Sequence, residues 1–207
     1  LTSNVVVGKP TRATPKVSAK IVEANFYPTW TVPDSIARAD LIPKLQKDPA
    51  YFVNEHFSVM EKGGKVDPHA IDWSKPEVVK YSFRQDPGSF NALGVVRINM
   101  PNKHSVYMHD TPSETIFGRN FRSASSGCVR VHNIEHLASW LLAGNGDWSD
   151  DRVEEMKQSG KRLDVKLKKP VPLQFVYVTA WATSDGIIQF RRDLYQRDGV
   201  GAVAANY

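Results

Sequence analysis

The sequence predicts one β-rich domain of mixed α/β class, with a helical insertion between residues 27 and 81. Three observations support this prediction. Short runs rich in valine, isoleucine and aromatic residues, bounded by turn-forming residues, are typical of strands. Residues 133–142 carry apolar side chains at helical spacing. Prolines divide the segment from 27 to 81 into short pieces, which is typical of short helical segments joined by turns.

Two strands are predicted before the insertion. The β-branched run Val5-Val-Val predicts the first, and the proline-containing residues 9–15 predict a turn region after it. A second strand begins at Ser18, where Ala19 and Ile21 alternate with more polar residues.

The insertion, residues 27–81, has the least regular pattern. Residues 35–41 and 49–56 predict short helices, with Asp34 or Ser35 as the N-cap of the first. Residues 54–69 predict a loop in which Gly63-Gly64 is the flexible point. A proline-rich excursion on the protein surface is an equally simple interpretation of the same pattern.

The rest of the chain predicts alternating short elements. The helix at 133–142 is expected to place Ile134, Leu137, Trp140 and Leu141 on one face. A polar helix is predicted at 150–160, with its charges in solvent. The predicted strands of this part are 81–85, 92–100, 106–108, 163–167, a buried one at 173–181, and 186–190 after a Ser-Asp-Gly turn.

The composition and the distribution of charge limit the kinds of molecule that this protein is expected to bind. The chain has 207 residues, 41% of them hydrophobic, and a net charge of +5. Because the basic residues are spread along the chain rather than gathered in a stripe, no nucleic-acid partner is expected. The positive excess fits either solubility or attraction to an anionic polymer. No apolar run is long enough to span a membrane.

The start of the chain suggests export. It begins at Leu1 without a methionine or a signal peptide, so we interpret it as a mature or trimmed piece of an exported protein. With a single cysteine no internal disulfide is expected, and the cysteine count does not decide the compartment.

That cysteine, Cys128, follows Ser125-Ser-Gly, a run of small residues whose N–H groups can approach a ligand. His109 lies upstream at the end of a predicted strand. We expect Cys128 in a tight turn just before the 133–142 helix, where electropositive backbone, the imidazole and Arg130 would favour the nucleophilic thiolate. A lone cysteine is, however, more often an inert buried side chain, and spacing alone does not exclude that interpretation.

His109 followed by Ser126-Gly-Cys-Val-Arg130 resembles the active-site signature of the L,D-transpeptidases (the YkuD domain). The chain is most similar to the large Gram-negative YcbB-like branch of that family. The matching motifs, in order, are Val5-Val-Val-Gly-Lys, Thr14-Pro, Arg84-Gln-Asp-Pro-Gly, Asn91-Ala-Leu-Gly, Val106-Tyr-Met-His-Asp-Thr-Pro and Ser125-Ser-Gly-Cys-Val-Arg-Val. One departure is Ser126, where many relatives carry a histidine.

The resemblance implies a YkuD-like β-sandwich catalytic domain over residues 1–207, with 27–81 as a helical subdomain that caps the active-site groove. It implies that Cys128 is the nucleophile and that His109, oriented by a neighbouring backbone carbonyl, is the base. Asp110 is left out because adjacent strand residues point to opposite faces. The N–H groups of Ser126, Gly127 and Cys128 would hold the oxyanion.

Three further residues are candidates for substrate binding. Tyr107 shares a strand face with His109, and Arg130 would either clamp a substrate carboxylate or pair with a carboxylate of the protein. Trp30 is a candidate within the insertion, as are Tyr27 and Trp73, with a place in the hydrophobic core as the alternative for each. No metal is expected, because the remaining histidines lack ligand partners at metal-binding spacing: these are His104, His132 and His136.

The function implied is transfer of an acyl group between peptidoglycan stem peptides, giving 3→3 cross-links through a cysteine thioester. The implied setting is cell-wall biosynthesis and cell-shape maintenance in the periplasm of a Gram-negative bacterium. Stem peptides serve as donor and acceptor, carbapenem-type β-lactams are expected covalent inhibitors, and no cofactor is needed. The alternatives are L,D-carboxypeptidase or D-amino-acid exchange activity, or a wall-binding domain with an inactive pocket. A papain-like protease fits less well, since its cysteine precedes its histidine.

Overall fold

Short strands carry most of the regular structure of this protein, as predicted. A computed structural model describes residues 1–48 and 50–199, apart from the side chains of residues 76 and 77. The strands are β1 Val5–Gly8, β2 Val17–Phe26, β3 Trp30–Thr31, β4 Phe57–Glu61, β5 Gly64–Val66, β6 Ser82–Gln85, β7 Val96–Asn99, β8 Met108–His109, β9 Ser123–Ser125, β10 Val129–Val131, β11 Leu163–Phe175, β12 Ala180–Ala182 and β13 Ile188–Phe190. The α-helices are α1 Asp34–Ile36, α2 Ile42–Lys47, α3 Tyr51–Asn54, α4 Ile134–Leu142 and α5 Asp150–Ser159. The predicted β-rich, mixed α/β class is confirmed.

The main sheet has seven strands in the order β11-β2-β7-β8-β10-β1-β9. Its centre is mixed, since β8 pairs antiparallel with β7 and parallel with β10. Alternation along these strands sends Ile98, Met108 and Val129 into the hydrophobic core. The neighbouring residues Arg97 and His109 therefore face the other side of the sheet.

Helices α4 and α5 cover the core face of the main sheet. The buried apolar positions of α4 are Ile134, Ala138, Leu141 and Leu142, which follow the helical period. Trp140 was expected on this face, but it is 58% exposed, because the buried stripe is centred on Ala138 rather than on Leu137. The predicted polar helix at 150–160 is confirmed as α5, although two of its side chains, Val153 and Met156, are buried.

Three strands of the insertion, β3, β4 and β5, form a second sheet together with β6, which begins just after residue 81, in the order β3-β6-β4-β5. The loop predicted at 54–69 is wrong, because β4 and β5 form a hairpin in which Val59 faces Val66. Lys62 and Gly63 both have positive φ, of 49° and 85°, as the tight turn of such a hairpin requires. The glycine pair therefore marks a turn between strands and not a flexible loop.

The helical part of the insertion runs from α1 through a π-helical turn, Ala37–Leu41, into α2. The helix begins at Asp34 with Pro33 at the N-cap position, so neither predicted residue caps it. Helix α3 begins at Tyr51, and Pro49, the predicted start of the second helix, lies outside the described residues. None of the helices in the described ranges is long and apolar enough to cross a membrane.

In the last third of the chain, the structure differs from the prediction at two strands, those expected at 163–167 and 173–181. Residues 163–175 form one continuous strand, β11, rather than ending at 167. The buried strand expected at 173–181 stops at Phe175, and the side chains of Val176 and Val178 are 70% and 54% exposed. Strands β12 and β13 then form a separate two-stranded hairpin, which confirms the final predicted strand.

The insertion and the adjoining strand β6 share a hydrophobic core of their own, centred on Phe52, Phe83 and Trp73. Phe83 is fully buried, and its ring lies 5.3 Å from that of Phe52. We predict that Phe83→Ala lowers the free energy of unfolding by about 3–5 kcal/mol, because the cavity would be lined by aromatic rings that cannot collapse into it. Urea denaturation measures the loss. Val79→Ala, at a side chain 47% exposed, should change stability by less than about 0.5 kcal/mol, and a comparably small loss for Phe83→Ala would contradict the assignment.

Candidate active site

A pocket of about 310 Å³ lies where the insertion meets the main sheet. The sheet side of the pocket contains the predicted nucleophile and base together with three other predicted residues: Cys128, His109, Tyr107, Ser126 and Arg130. The insertion contributes Trp30, with Pro33, Ser35 and Ile36 beside it. The structure thus brings the predicted site residues into one pocket, apart from Gly127, which does not line it.

The pairing register of strand β8 determines the position of the predicted base, His109. His109 is the register partner of Arg130 on one side and of Arg97 on the other. The preceding residue, Met108, is buried in the core, so His109 must point to the opposite face, toward the pocket. His109 itself is only 5% exposed, which removes its ring from bulk water.

The orientation of the His109 ring follows from one hydrogen bond. Nδ1 lies 2.6 Å from the carbonyl oxygen of Asp110. A carbonyl only accepts, so Nδ1 carries the proton and Nε2 is left as a proton acceptor. The carboxylate of Asp110 instead accepts from the backbone N–H of Val95 at 2.9 Å, away from the imidazole.

Burial keeps His109 neutral. It lowers the pKa of the imidazole to about 3, with a further lowering by the positive charge of Arg130 and an opposing effect of the Asp110 carbonyl. At neutral pH the ring is therefore uncharged, with its proton on Nδ1 and Nε2 left to accept.

The expectation that Cys128 is held as a thiolate is wrong. Burial raises the pKa of the thiol, and this effect exceeds the lowering by the Tyr107 backbone and hydroxyl groups and by Arg130 and Arg97. The helix starts close to where it was predicted, but it does not directly follow the cysteine turn. Cys128 lies in a bend between β9 and β10, and α4 begins only at Ile134, after β10, so no helix N-terminus adjoins the sulfur.

Tyr107 connects the insertion to the nucleophile. It lines the pocket between Trp30 of the insertion and the Cys128 thiol. Burial raises the pKa of Tyr107, so the phenol stays protonated and remains a donor. The guanidinium carbon of Arg97 lies 5.5 Å from the centre of the Tyr107 ring.

A polar chain across the sheet holds Arg97. Its Nε donates to Asn25 Oδ1 at 2.9 Å, and Asn25 Nδ2 donates to Asp164 Oδ1 at 2.7 Å. Asn25 is buried on β2, and Asp164 stands on the outermost strand, β11. The guanidinium beside the Tyr107 ring is thus held by residues on β2 and β11, which lie one and two strands away from β7.

The bend that carries the nucleophile is braced by Ser125. Its hydroxyl accepts from the N–H of Gly127 at 3.1 Å and donates to the carbonyl oxygen of Cys128 at 2.5 Å. Gly127 has φ of +120°, a conformation that other residues rarely adopt. Within the described ranges, the N–H groups of Ser126 and Cys128 have no acceptor, whereas that of Gly127 is engaged.

Arg130 lies beside His109 and is only partly paired. Its Nε is buried and has no hydrogen-bond partner among the residues that the structure describes. Burial lowers the pKa of the guanidinium, although arginine remains charged in proteins. No carboxylate of the described chain pairs with it.

Sequence reasoning missed Arg12 as a contributor to the site. Its Nη1 donates to Ser126 Oγ at 3.0 Å and also contacts Asp40 Oδ2 at 2.5 Å, in the π-helical turn of the insertion. Arg12 therefore ties the nucleophile bend to the insertion. The three residues lie far apart in sequence, and no local pattern indicates that they meet.

The other aromatic and histidine candidates have structural contacts. The hydroxyl of Tyr27 donates to the carbonyl of Lys157, and Trp73 is buried in the insertion core with Nε1 bonded to Pro68. The ring of His132 packs against that of Phe117, and His136 contacts Asp150. His104 lines the pocket. No group of three potential metal ligands occurs in the described part of the chain.

The raised pKa of Cys128 predicts the pH dependence of its reactivity. Only the thiolate is alkylated by iodoacetamide, so the alkylation rate should rise with pH through a midpoint above about 8.5, the value of an exposed cysteine. Tyr107→Phe removes a donor to the sulfur and should move the midpoint higher still. Mass spectrometry of the alkylated protein gives the rate, with Tyr51→Phe as the control. A midpoint below 8.5, or a lower one in the Tyr107 variant, would refute this account.

Two comparisons agree with this arrangement. The L,D-transpeptidase catalytic domain family matches residues 1–158. Over 200 residues the chain is 36% identical to a Haemophilus influenzae protein named "Putative L,D-transpeptidase", covering 96% of this chain and 40% of that protein. The chain thus spans less than half the length of this relative. With a cysteine and a histidine converging in one pocket, and a match over most of its length, the chain belongs to the L,D-transpeptidase catalytic domain (YkuD) family.

Proposed function

We propose that this protein is a peptidoglycan L,D-transpeptidase that forms 3→3 cross-links through a thioester on Cys128. The observation that carries the proposal is the pairing, in one pocket, of a buried thiol with a neutral imidazole whose Nε2 is left to accept a proton. Family membership supplies the reaction class. The assignment to the YcbB-like branch stays a prediction.

In the first half-reaction, the Cys128 sulfur attacks the carbonyl that joins the third residue of a donor stem to its terminal D-residue. His109 Nε2 takes the thiol proton as the C–S bond forms, because the neutral thiol is a poor nucleophile. His109 then gives this proton to the departing amine as the C–N bond breaks. A thioester remains on the enzyme.

In the second half-reaction, the side-chain amine of a diaminopimelate in a neighbouring stem attacks the thioester. His109 accepts the amine proton and returns it to the sulfur, which restores the starting protein. Water or a free D-amino acid as acceptor would give carboxypeptidase or exchange activity by the same steps.

The N–H groups of Ser126 and Cys128 are the strongest candidates for oxyanion donors, since no protein acceptor engages them in the described structure. The N–H of Gly127 was also expected to contribute, and it would have to leave Ser125 Oγ to do so. The main role of Gly127 is then conformational, because its positive φ forms the bend.

Three side chains are proposed to bind the stem peptide. Arg130, whose Nε is buried and has no partner among the described residues, would bind a stem carboxylate by donating two parallel hydrogen bonds to it. Tyr107 would line the groove beside the Cys128 sulfur. Trp30 would contact substrate from the insertion side of the pocket.

We also propose that the insertion, residues 27–81, caps the groove. It forms one wall of the pocket, and Arg12 links its Asp40 to Ser126 of the nucleophile bend. A cap must admit a wall polymer and then exclude water from the thioester. The implied setting is the periplasm of a Gram-negative bacterium, with a role in cell shape and with carbapenem-type β-lactams as covalent inhibitors.

Cys128→Ser should abolish 3→3 linked muropeptides while leaving the fold intact. A serine hydroxyl is far less ionised than a thiol at neutral pH, and His109 alone should not activate it enough for attack. Chromatography of digested sacculi from complemented cells measures the product, and circular dichroism checks folding. Normal dimer peaks from a folded Ser variant would show that another residue is the nucleophile.

Asp40→Asn should weaken the cap without touching the nucleophile. Loss of a partly exposed ion pair is worth about 1 kcal/mol, or about fivefold in an equilibrium. We expect carbapenem acylation within about twofold of wild type, but hydrolysis of the thioester relative to transfer should rise about two- to fivefold. Glu155→Gln, which removes an exposed ion pair on α5, is the matched control. An unchanged hydrolysis-to-transfer ratio would remove the Arg12–Asp40 contact from the mechanism.

A further inference from the structure

A set of hydrogen bonds beneath the nucleophile bend joins three distant parts of the chain. Thr14 follows β1, Gly127 belongs to the bend, and Tyr195 lies near the end of the described residues, beyond the part matched by the family. None of the predicted roles of the site includes Thr14 or Tyr195.

The Thr14 hydroxyl has a fixed direction. Oγ1 accepts from the N–H of Gly8 at 2.8 Å and donates to the carbonyl oxygen of Gly127 at 3.0 Å. Its one proton is used on Gly127, and the side chain is buried, so no water competes for the bond. The Gly127 carbonyl is thereby held from below the bend.

Holding this carbonyl also aims an N–H group. The carbonyl of Gly127 and the N–H of Cys128 belong to one planar trans peptide unit, in which the two bonds point in opposite directions. With the oxygen anchored on Thr14, the N–H of Cys128 must point away from Thr14. That N–H has no acceptor among the described residues, whereas Gly127, at φ +120°, has no side chain that would restrain the plane by itself.

Tyr195 braces Thr14 from the other side. Its hydroxyl donates to the carbonyl of Gly8 at 2.6 Å and accepts from the N–H of Thr14 at 3.4 Å. The Tyr195 ring is itself held, because the Arg197 guanidinium stacks on it at 5.0 Å. Gly8 fits tightly here, since a Cβ would lie 2.1 Å from the carbonyl oxygen of Arg12.

We infer that Thr14 and Tyr195 are positioning residues for the reaction, holding the Gly127–Cys128 peptide so that its N–H can stabilise the oxyanion. This inference rests on the proposed role of Cys128 as an acylated nucleophile. It assigns a part in catalysis to a residue outside the family-matched region. If the two residues only stabilised the fold, their loss would affect every reaction of Cys128 equally.

A role in positioning the Gly127–Cys128 peptide can be distinguished from a role in fold stability by comparing two reactions of the Cys128 sulfur. Acylation by a carbapenem forms a tetrahedral oxyanion, whereas alkylation by iodoacetamide displaces iodide and forms none. Thr14→Val keeps the shape but removes the hydroxyl, Thr14→Ser retains it, and Tyr195→Phe removes only the brace. Tyr51→Phe is a control, since its hydroxyl contacts Lys44 on the insertion surface. Mass spectrometry of the intact protein gives both rates, and thermal unfolding reports stability.

We expect Thr14→Val to slow acylation about tenfold or more, Tyr195→Phe about threefold or more, and alkylation to change less than about twofold in both. Thr14→Ser should restore acylation to within about threefold of wild type. Acylation at the wild-type rate in Thr14→Val, or a parallel loss of both reactions in it and in Tyr195→Phe, would overturn the inference. A wild-type protein that is alkylated but not acylated would instead overturn the proposed function.

Discussion

The site depends on the parallel pairing of β8 with β10. Met108 and Val129 are register partners that bury their side chains in the core, and this burial sends His109 and Arg130 to the opposite face together. Because the side chains of a strand alternate, a slip of one residue would bury an imidazole and a guanidinium in the core. The hydrophobic core thus selects the register, and the register places both side chains in the candidate active site.

Burial also determines the resting protonation states of Cys128 and His109. A thiol and an imidazole in water at neutral pH are each partly ionised, but here desolvation disfavours both charged forms. In the proposed mechanism, the proton therefore moves only when the sulfur attacks, at which point charge develops beside Arg130 and the N–H groups of the bend. Such a resting state protects the thiol from unproductive reactions, since the thiolate is the reactive form.

Features that depend on a few neighbouring residues could be predicted from the sequence, whereas features that depend on the packing of distant segments could not. The histidine at a strand end, the small-residue bend and most strands follow from short patterns, because alternation and turn residues act over a few positions. The hairpin at β4 and β5 was missed because its glycine pair suits a loop equally well. The pKa direction of Cys128 was wrong because burial depends on the whole fold. Contacts such as that of Arg12 with Asp40 arise from the packing of separate segments, which no local pattern encodes.

The polar chain from Asp164 through Asn25 to Arg97 has a consequence for how this protein tolerates change. Outer strands of a sheet usually drift freely in evolution, because their solvent-facing side chains have few partners. Here the outer strand β11 fixes the orientation of a charge that reaches the nucleophile. A substitution at Asp164 is therefore coupled to the environment of a thiol several strands away on the same face of the sheet, and it would be tolerated best in combination with changes at Asn25 or Arg97.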